Sequence, residues 1–146
     1  MPYQVIVVGT DGSPRSEGAV SEALALAGPI GATLHVVHVV HPAVEAGRVD
    51  SQAFQQVIDQ ARDEVDNVRT RLAAEAQRHG VAMEFHTPGA GDVADALLST
   101  AAAVDADLVV VGNRGMRGFS RFVLGSIPNK VAHQCHCSVL ISNTEP

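Results

Sequence analysis

Residues 112–126 read Gly-Asn-Arg-Gly-Met-Arg-Gly-Phe-Ser-Arg-Phe-Val-Leu-Gly-Ser, a glycine-rich stretch between an apolar run and a helical pattern. Glycine lacks a Cβ, takes positive φ readily and lets backbone N–H groups approach an anion, which is the chemistry of a phosphate cradle. Ser126 is placed to cap the helix that follows, whose positive end would aim at the same point. Arg114, Arg117, Arg121 and Lys130 fall in or just after this stretch, and no Asp or Glu lies between Asp107 and Glu145. Against a net charge of −6, that local cationic patch suits a small polyanion, while the overall balance argues against nucleic acid.

Two phosphate-binding patterns fail on spacing. Gly112, Gly115 and Gly118 do not form Gly-x-Gly-x-x-Gly, and their loop follows the fourth strand instead of the first, which removes a dinucleotide fingerprint. Residues 125–130, Gly-Ser-Ile-Pro-Asn-Lys, lack the Gly-Lys-Ser/Thr ending of a P-loop. Ser13, Ser120 and Ser126 sit in no Gly-x-Ser-x-Gly elbow, so nucleophilic catalysis has little support. His133, Cys135, His136 and Cys137 crowd together and invite a thiolate–imidazole metal site. With one residue between them, the two cysteines are expected to face apart and not to chelate one ion, so a helix end and partly buried strand entry is expected, with both thiols reduced. Asp11 and Asp92 are the carboxylates in the relevant loops; binding is favoured over efficient turnover, with slow hydrolysis left open.

The elements that must position these residues follow from periodicity. Short apolar or alternating runs predict strands at Tyr3–Val8, Thr33–Val40, Val81–His86, Asp107–Val111 and Ser138–Ile141. Repeats at three and four residues predict helices at Ser13–Ala27, Gln52–Arg78, Val93–Val104 and about Ile127 to His133. Strands alternating with helices imply right-handed crossovers and an α/β fold, an open, doubly wound, five-stranded mostly parallel sheet with helices on both faces. Ligands in such sheets bind beyond the strand C-termini where strand order reverses, and the loops after the first and fourth strands leave such ends. At 146 residues the chain fits one domain. No apolar run approaches the roughly 20 residues of a membrane-spanning helix, and the N-terminus lacks the basic region of a signal peptide, so a soluble cytoplasmic protein is expected.

The spacing of Gly112, Gly115, Gly125 and Ser126, G-x2-G-x9-G-S, resembles the nucleotide-binding pattern of the universal stress protein family, of the ATP-binding type. The likeness runs along the whole chain: Val-Val-Gly-Thr-Asp-Gly-Ser at 7–13, a strand ending His38-Val39, Val-Val-Val-Gly-Asn-Arg-Gly at 109–115, Leu-Gly-Ser-Ile-Pro at 124–128, and Cys-Ser-Val-Leu-Ile at 137–141. The resemblance implies an adenine nucleotide α-hydrolase-like, Rossmann-like sheet of strand order 3-2-1-4-5. It also implies that Asp11, with Thr10 beside it, meets the ribose or, through Mg2+ or Mn2+, the phosphates of ATP. Val39 would meet the adenine edge, Gly112 and Gly115 would turn under the phosphates, and Gly125, Ser126 and Ile127 would present the helix start. Arg114 and Arg117 are placed to close over a γ-phosphate. Lys130 lies one helical turn beyond Ser126, where it either reaches back to phosphate or is a surface charge.

The function so implied is an ATP-dependent sensor or regulator of the stress response, homodimeric through the short apolar edge Val139–Ile141. The alternatives are a slow ATPase or nucleotidyl-transfer enzyme on the same scaffold, and a cyclic-AMP-binding protein.

Overall fold

Runs of β-branched residues and longer helical periods produce five strands and four helices among residues 3–39, 52–88, 91–113 and 125–143, which the computed structural model describes. In chain order these are β1 (Val5–Thr10), α1 (Pro14–Ile30), β2 (Thr33–His38), α2 (Gln52–His79), β3 (Met83–His86), α3 (Val93–Ala103), β4 (Leu108–Gly112), α4 (Ser126–Gln134) and β5 (Ser138–Ser142). The strands form one sheet in the order β3-β2-β1-β4-β5, every pair parallel. No helix among the described residues is long and apolar enough to cross a membrane.

The strand period of two divides the core between the faces of the sheet. Ile6, Val8, Leu34, Val36, Leu108 and Val110 point to one face, where Val20, Ala23 and Leu24 of α1 and Val68 and Leu72 of α2 cover them. Val7, Val37, Val109 and Val111 point to the other, under Leu97 and Ala101 of α3 and Val131 of α4. Each buried Val or Leu contributes about 1.5–3 kcal/mol through removal from water. That drive, acting on both faces, makes the central strands almost continuously apolar.

Local chemistry sets the element ends. Ser13 caps α1, its hydroxyl accepting from Ser16 N at 3.3 Å, and Pro14 occupies the first helical position. The helix continues through Gly28 and Pro29, three residues past the end expected at Ala27. Gly31, at φ 69°, closes it by letting Ala32 N donate to the Ala27 carbonyl at 3.0 Å. β1 lies two residues later than expected because its ladder with β2 continues through Gly9–Val37 and Thr10–His38. β2 ends at His38, so Val39 is the first residue beyond the strand, and Val40 lies outside the described residues. Asp107, expected to open β4, precedes it. Its carboxylate accepts from Gln4 N at 2.8 Å and Val5 N at 3.1 Å, which ties the starts of β1 and β4 together.

Candidate functional site

Strand order reverses between β1 and β4: the chain leads from β1 outward to β2 and β3 on one side and from β4 outward to β5 on the other. The C-terminal ends of β1 and β4 therefore open into a common crevice, the place where doubly wound sheets hold ligands. A cavity of about 40 Å³ lies there, lined by Thr10, Asp11, Gly112 and Ile127, with Gly9 and Leu97 at its floor. A Cβ at Gly9 would sit 3.1 Å from Leu97 Cδ2, so the glycine lets α3 approach the strand closely.

The turn after β1 is held by hydroxyls. Thr10 Oγ1 and Ser16 Oγ lie 2.8 Å apart, Gly12 N donates to Thr10 Oγ1 at 3.0 Å, and Asp11 N donates to Ser16 Oγ at 3.2 Å. Asp11 Oδ1 accepts from Ser13 N at 2.8 Å. Burial works to raise the Asp11 carboxyl, but hydrogen bonds from Ser13 and Ser16 outweigh it and hold the group below the ordinary carboxylate range. The crevice thus carries a fixed negative charge at neutral pH. Ser16 had no place in the sequence-derived site; its signal was the position one turn into a helix opened by Ser13-Pro14.

On the β4 side, Asn113 N donates to the Ser142 carbonyl at 2.8 Å, and Gly125 N donates to the Asn113 carbonyl at 3.1 Å. These bonds bring the start of α4 back to the end of β4. Gly125, extended at φ −60° and ψ 161°, is the N-cap, and as a glycine it makes no side-chain cap hydrogen bond. Ser126, expected as the cap, is instead the first helical residue, because Asn129 N already bonds to the Gly125 carbonyl at 3.0 Å. The N–H groups of Ser126 and Ile127 have no intrahelical acceptor, and Pro128 has no N–H to satisfy. A helix start of this kind carries partial positive charge and suits an anion.

Lys130 does not reach toward that helix start. Its ammonium lies 2.8 Å from Asp95 Oδ1 and 3.5 Å from Asp92 Oδ2, so it pins α4 to the first turn of α3. Asp92 is itself the N-cap of α3, accepting from Asp95 N at 3.1 Å. Arg114, Gly115, Arg117 and Arg121 lie outside the described residues.

A second cavity, of about 500 Å³, opens on the other side of Asp11 and Gly12 and is lined by His38, Val39, Glu64 and Arg71. Gly12, at φ 83°, brings its backbone close to His38: a Cβ there would lie 3.4 Å from the ring Nε2. His38 is buried, and its Nδ1 has no hydrogen-bond partner. Burial pushes this imidazole below its ordinary pKa, against the opposing pull of the Asp11 charge. Its sequence signal was a histidine ending an apolar strand.

The cysteine cluster departs from expectation. Cys135 Sγ and Cys137 Sγ lie 3.3 Å apart and not on opposite faces, because residues two positions apart in an extended chain project to the same side, and Cys135 is extended at φ −73° and ψ 140°. Burial, with the hydrogen bond to Cys135, pushes the Cys137 thiol up to about 12, so it stays protonated.

A model of the universal stress protein family matches residues 2–143. A universal stress protein of Mycobacterium tuberculosis is 32% identical over 151 aligned residues, covering 97% of each chain. Among solved structures, a universal stress protein in complex with cAMP superposes with a TM-score of 0.74 at 29% identity, covering 99% of this chain and 100% of that one. The universal stress protein of Archaeoglobus fulgidus in complex with dAMP gives a TM-score of 0.68 at 25% identity, covering 97% and 98%.

Proposed function

Because the chain belongs to the universal stress protein family, we propose that it is one nucleotide-binding domain that holds an adenine nucleotide in the β1–β4 crevice and signals its occupancy. The observation that carries this reading is the placement of an ionised Asp11 and the start of α4, whose N-cap is the glycine Gly125, on opposite lips of the switch point. An anionic phosphate is favoured by the helix start, and the ribose hydroxyls or a phosphate-bound cation by the carboxylate. The relatives solved with cAMP and dAMP support the adenine class.

The ligand we propose is ATP with Mg2+ or Mn2+. Asp11 is a hard oxygen donor of the kind that holds Mg2+ together with nucleotide phosphates, and the cation would neutralise its repulsion of them. Thr10, Val39, Gly112, Gly125, Ser126 and Ile127 complete the contacts around Asp11, with Arg114, Gly115 and Arg117 closing on the phosphates. The protein acts as a regulator with at most slow hydrolysis. It works as a homodimer through Val139–Ile141 of β5, which among the described residues has β4 as its one neighbour in the sheet and exposes Ile141.

A second reading, a cyclic-AMP receptor, is favoured by the relative solved with that ligand. Calorimetry with ATP, AMP, cyclic AMP and adenosine, each with and without Mg2+, separates the two. Tightest binding by ATP with Mg2+, and selective loss of ATP over adenosine in Arg117→Ala, is the expected result. Tighter binding of cyclic AMP, insensitive to Mg2+, selects the receptor reading, and no binding of any adenine nucleotide overturns both.

A further inference from the structure

At the opposite side of the sheet from β5, three potential metal ligands converge on the face shared by β2 and β3. Strand period places Glu84 and His86 on the same face of β3, two residues apart, and parallel register sets His35 of β2 opposite Glu84. His35 Nδ1 lies 2.9 Å from His86 Nε2 and 3.3 Å from Glu84 Oε2, and His86 Nε2 lies 3.8 Å from the same carboxylate oxygen. Among the described residues these form one group of His, Cys, Asp or Glu ligands close enough to share an ion.

The three separations match a coordination triangle. They define a circle of about 2.0 Å radius. Zinc bonds of roughly 2.0–2.2 Å to nitrogen and carboxylate oxygen therefore place an ion on the axis of that circle, at or just above its plane. Tetrahedral coordination at these bond lengths spaces neighbouring ligand atoms about 3.3 Å apart, near the middle of the observed range. Two imidazoles and one carboxylate suit zinc and its neighbours in the first transition row better than Mg2+ or Ca2+, which select all-oxygen shells.

We propose that His35, Glu84 and His86 bind a divalent transition-metal cation of the zinc class, separate from the nucleotide crevice. The buried His35 anchors the site to the core, while the half-buried His86 and exposed Glu84 complete it from the edge strand. Three protein ligands leave a fourth position for water, and the exposure of the Glu84 side chain (66%) puts the site within reach of solvent. Without the ion, one of the two facing ring nitrogens carries the proton of their hydrogen bond. Binding shifts that ring to its other tautomer, the proton passing by way of solvent to the second nitrogen of the same imidazole, so that both His35 Nδ1 and His86 Nε2 face the cation unprotonated. The ion clips β3, the outermost strand, to β2.

Zinc titration of the nucleotide-free full chain, by calorimetry and by histidine side-chain 15N NMR, tests the site. One equivalent should bind, with metal-induced shifts at His35 Nδ1 and His86 Nε2. Glu84→Gln and His86→Ala should each weaken zinc at least about tenfold, as much as losing an outer-shell partner does. The Cys135→Ser/Cys137→Ser double variant should bind as the parent does. Glu84 is exposed, so its variant leaves the core intact. Absence of zinc binding, unchanged affinity in both ligand variants, or loss of binding in the cysteine variant would overturn the proposal.

Discussion

The ammonium of Lys130 and the carboxylate of Asp95 meet at 2.8 Å across the α3–α4 contact, so the chain's one lysine braces two helices beside the crevice. Asp95 and Asp92 both raise the Lys130 pKa, the hydrogen bond to Asp95 most of all. Its charge is thereby paired before any ligand arrives. Lys130→Ala should leave the affinity for ATP unchanged within about threefold, the scale of an exposed pair. A tenfold loss measured by calorimetry would return the lysine to the phosphate site.

Asp11 carries the heavier expectation. Asp11→Asn keeps an oxygen to accept from Ser13 N but removes the charge, so the turn should survive while Mg2+-dependent ATP binding weakens roughly tenfold, the worth of a charge-assisted contact. Equal affinity of variant and parent for ATP in the presence of Mg2+ would count against a role in holding the cation.

The floor of the crevice is a packing contact. Leu97 is 1% exposed, and Leu97→Ala should destabilise by about 2–5 kcal/mol in urea unfolding. Gly9→Ala pushes a methyl to 3.1 Å from Leu97 and should cost about 1–3 kcal/mol through overpacking. The double variant should be more stable than the sum of the two losses predicts, because truncating Leu97 makes room for the new methyl. Strict additivity would show that the two residues do not share this contact.

Acid should act through His38. Its folded pKa is lowered, chiefly by burial, so the unfolded chain takes up the proton first as pH falls below about 6.5. The stability of its neutral form is complete above that value and declines toward the lower folded pKa. The Asp11 charge beside it and backbone hydrogen bonds pull the other way without cancelling the effect of burial. Melting temperatures of parent and His38→Gln between pH 7 and pH 5 should diverge, the variant losing less. Parallel curves would mean that His38 titrates alike in both states.

Much of the molecule was legible because it is local. Ser13 and Pro14 announced the start of α1, the alternation from Val81 to His86 announced a strand, which forms from Met83, and apolar runs marked β1 and β4. Ends were less legible where a distant partner sets them. β1 extends to Thr10 because β2 lies alongside, and Asp107 leaves β4 because the start of β1 needs its carboxylate.

By itself the sequence determined the alternation of elements, the glycine spacing and the placement of Asp11 and Ser126 at element ends, since these depend on dihedral preferences and hydrophobic period within one segment. Tertiary structure alone decided which ends meet. Strand order places Asp11 opposite the start of α4, helix packing gives Lys130 to Asp92 and Asp95, and parallel register gathers His35, Glu84 and His86. Those partners are 35 to 51 residues apart in the chain for Lys130 and His35, as their numbering shows. Only the burial of both sheet faces, which selects one register and one order, brings them within bonding distance.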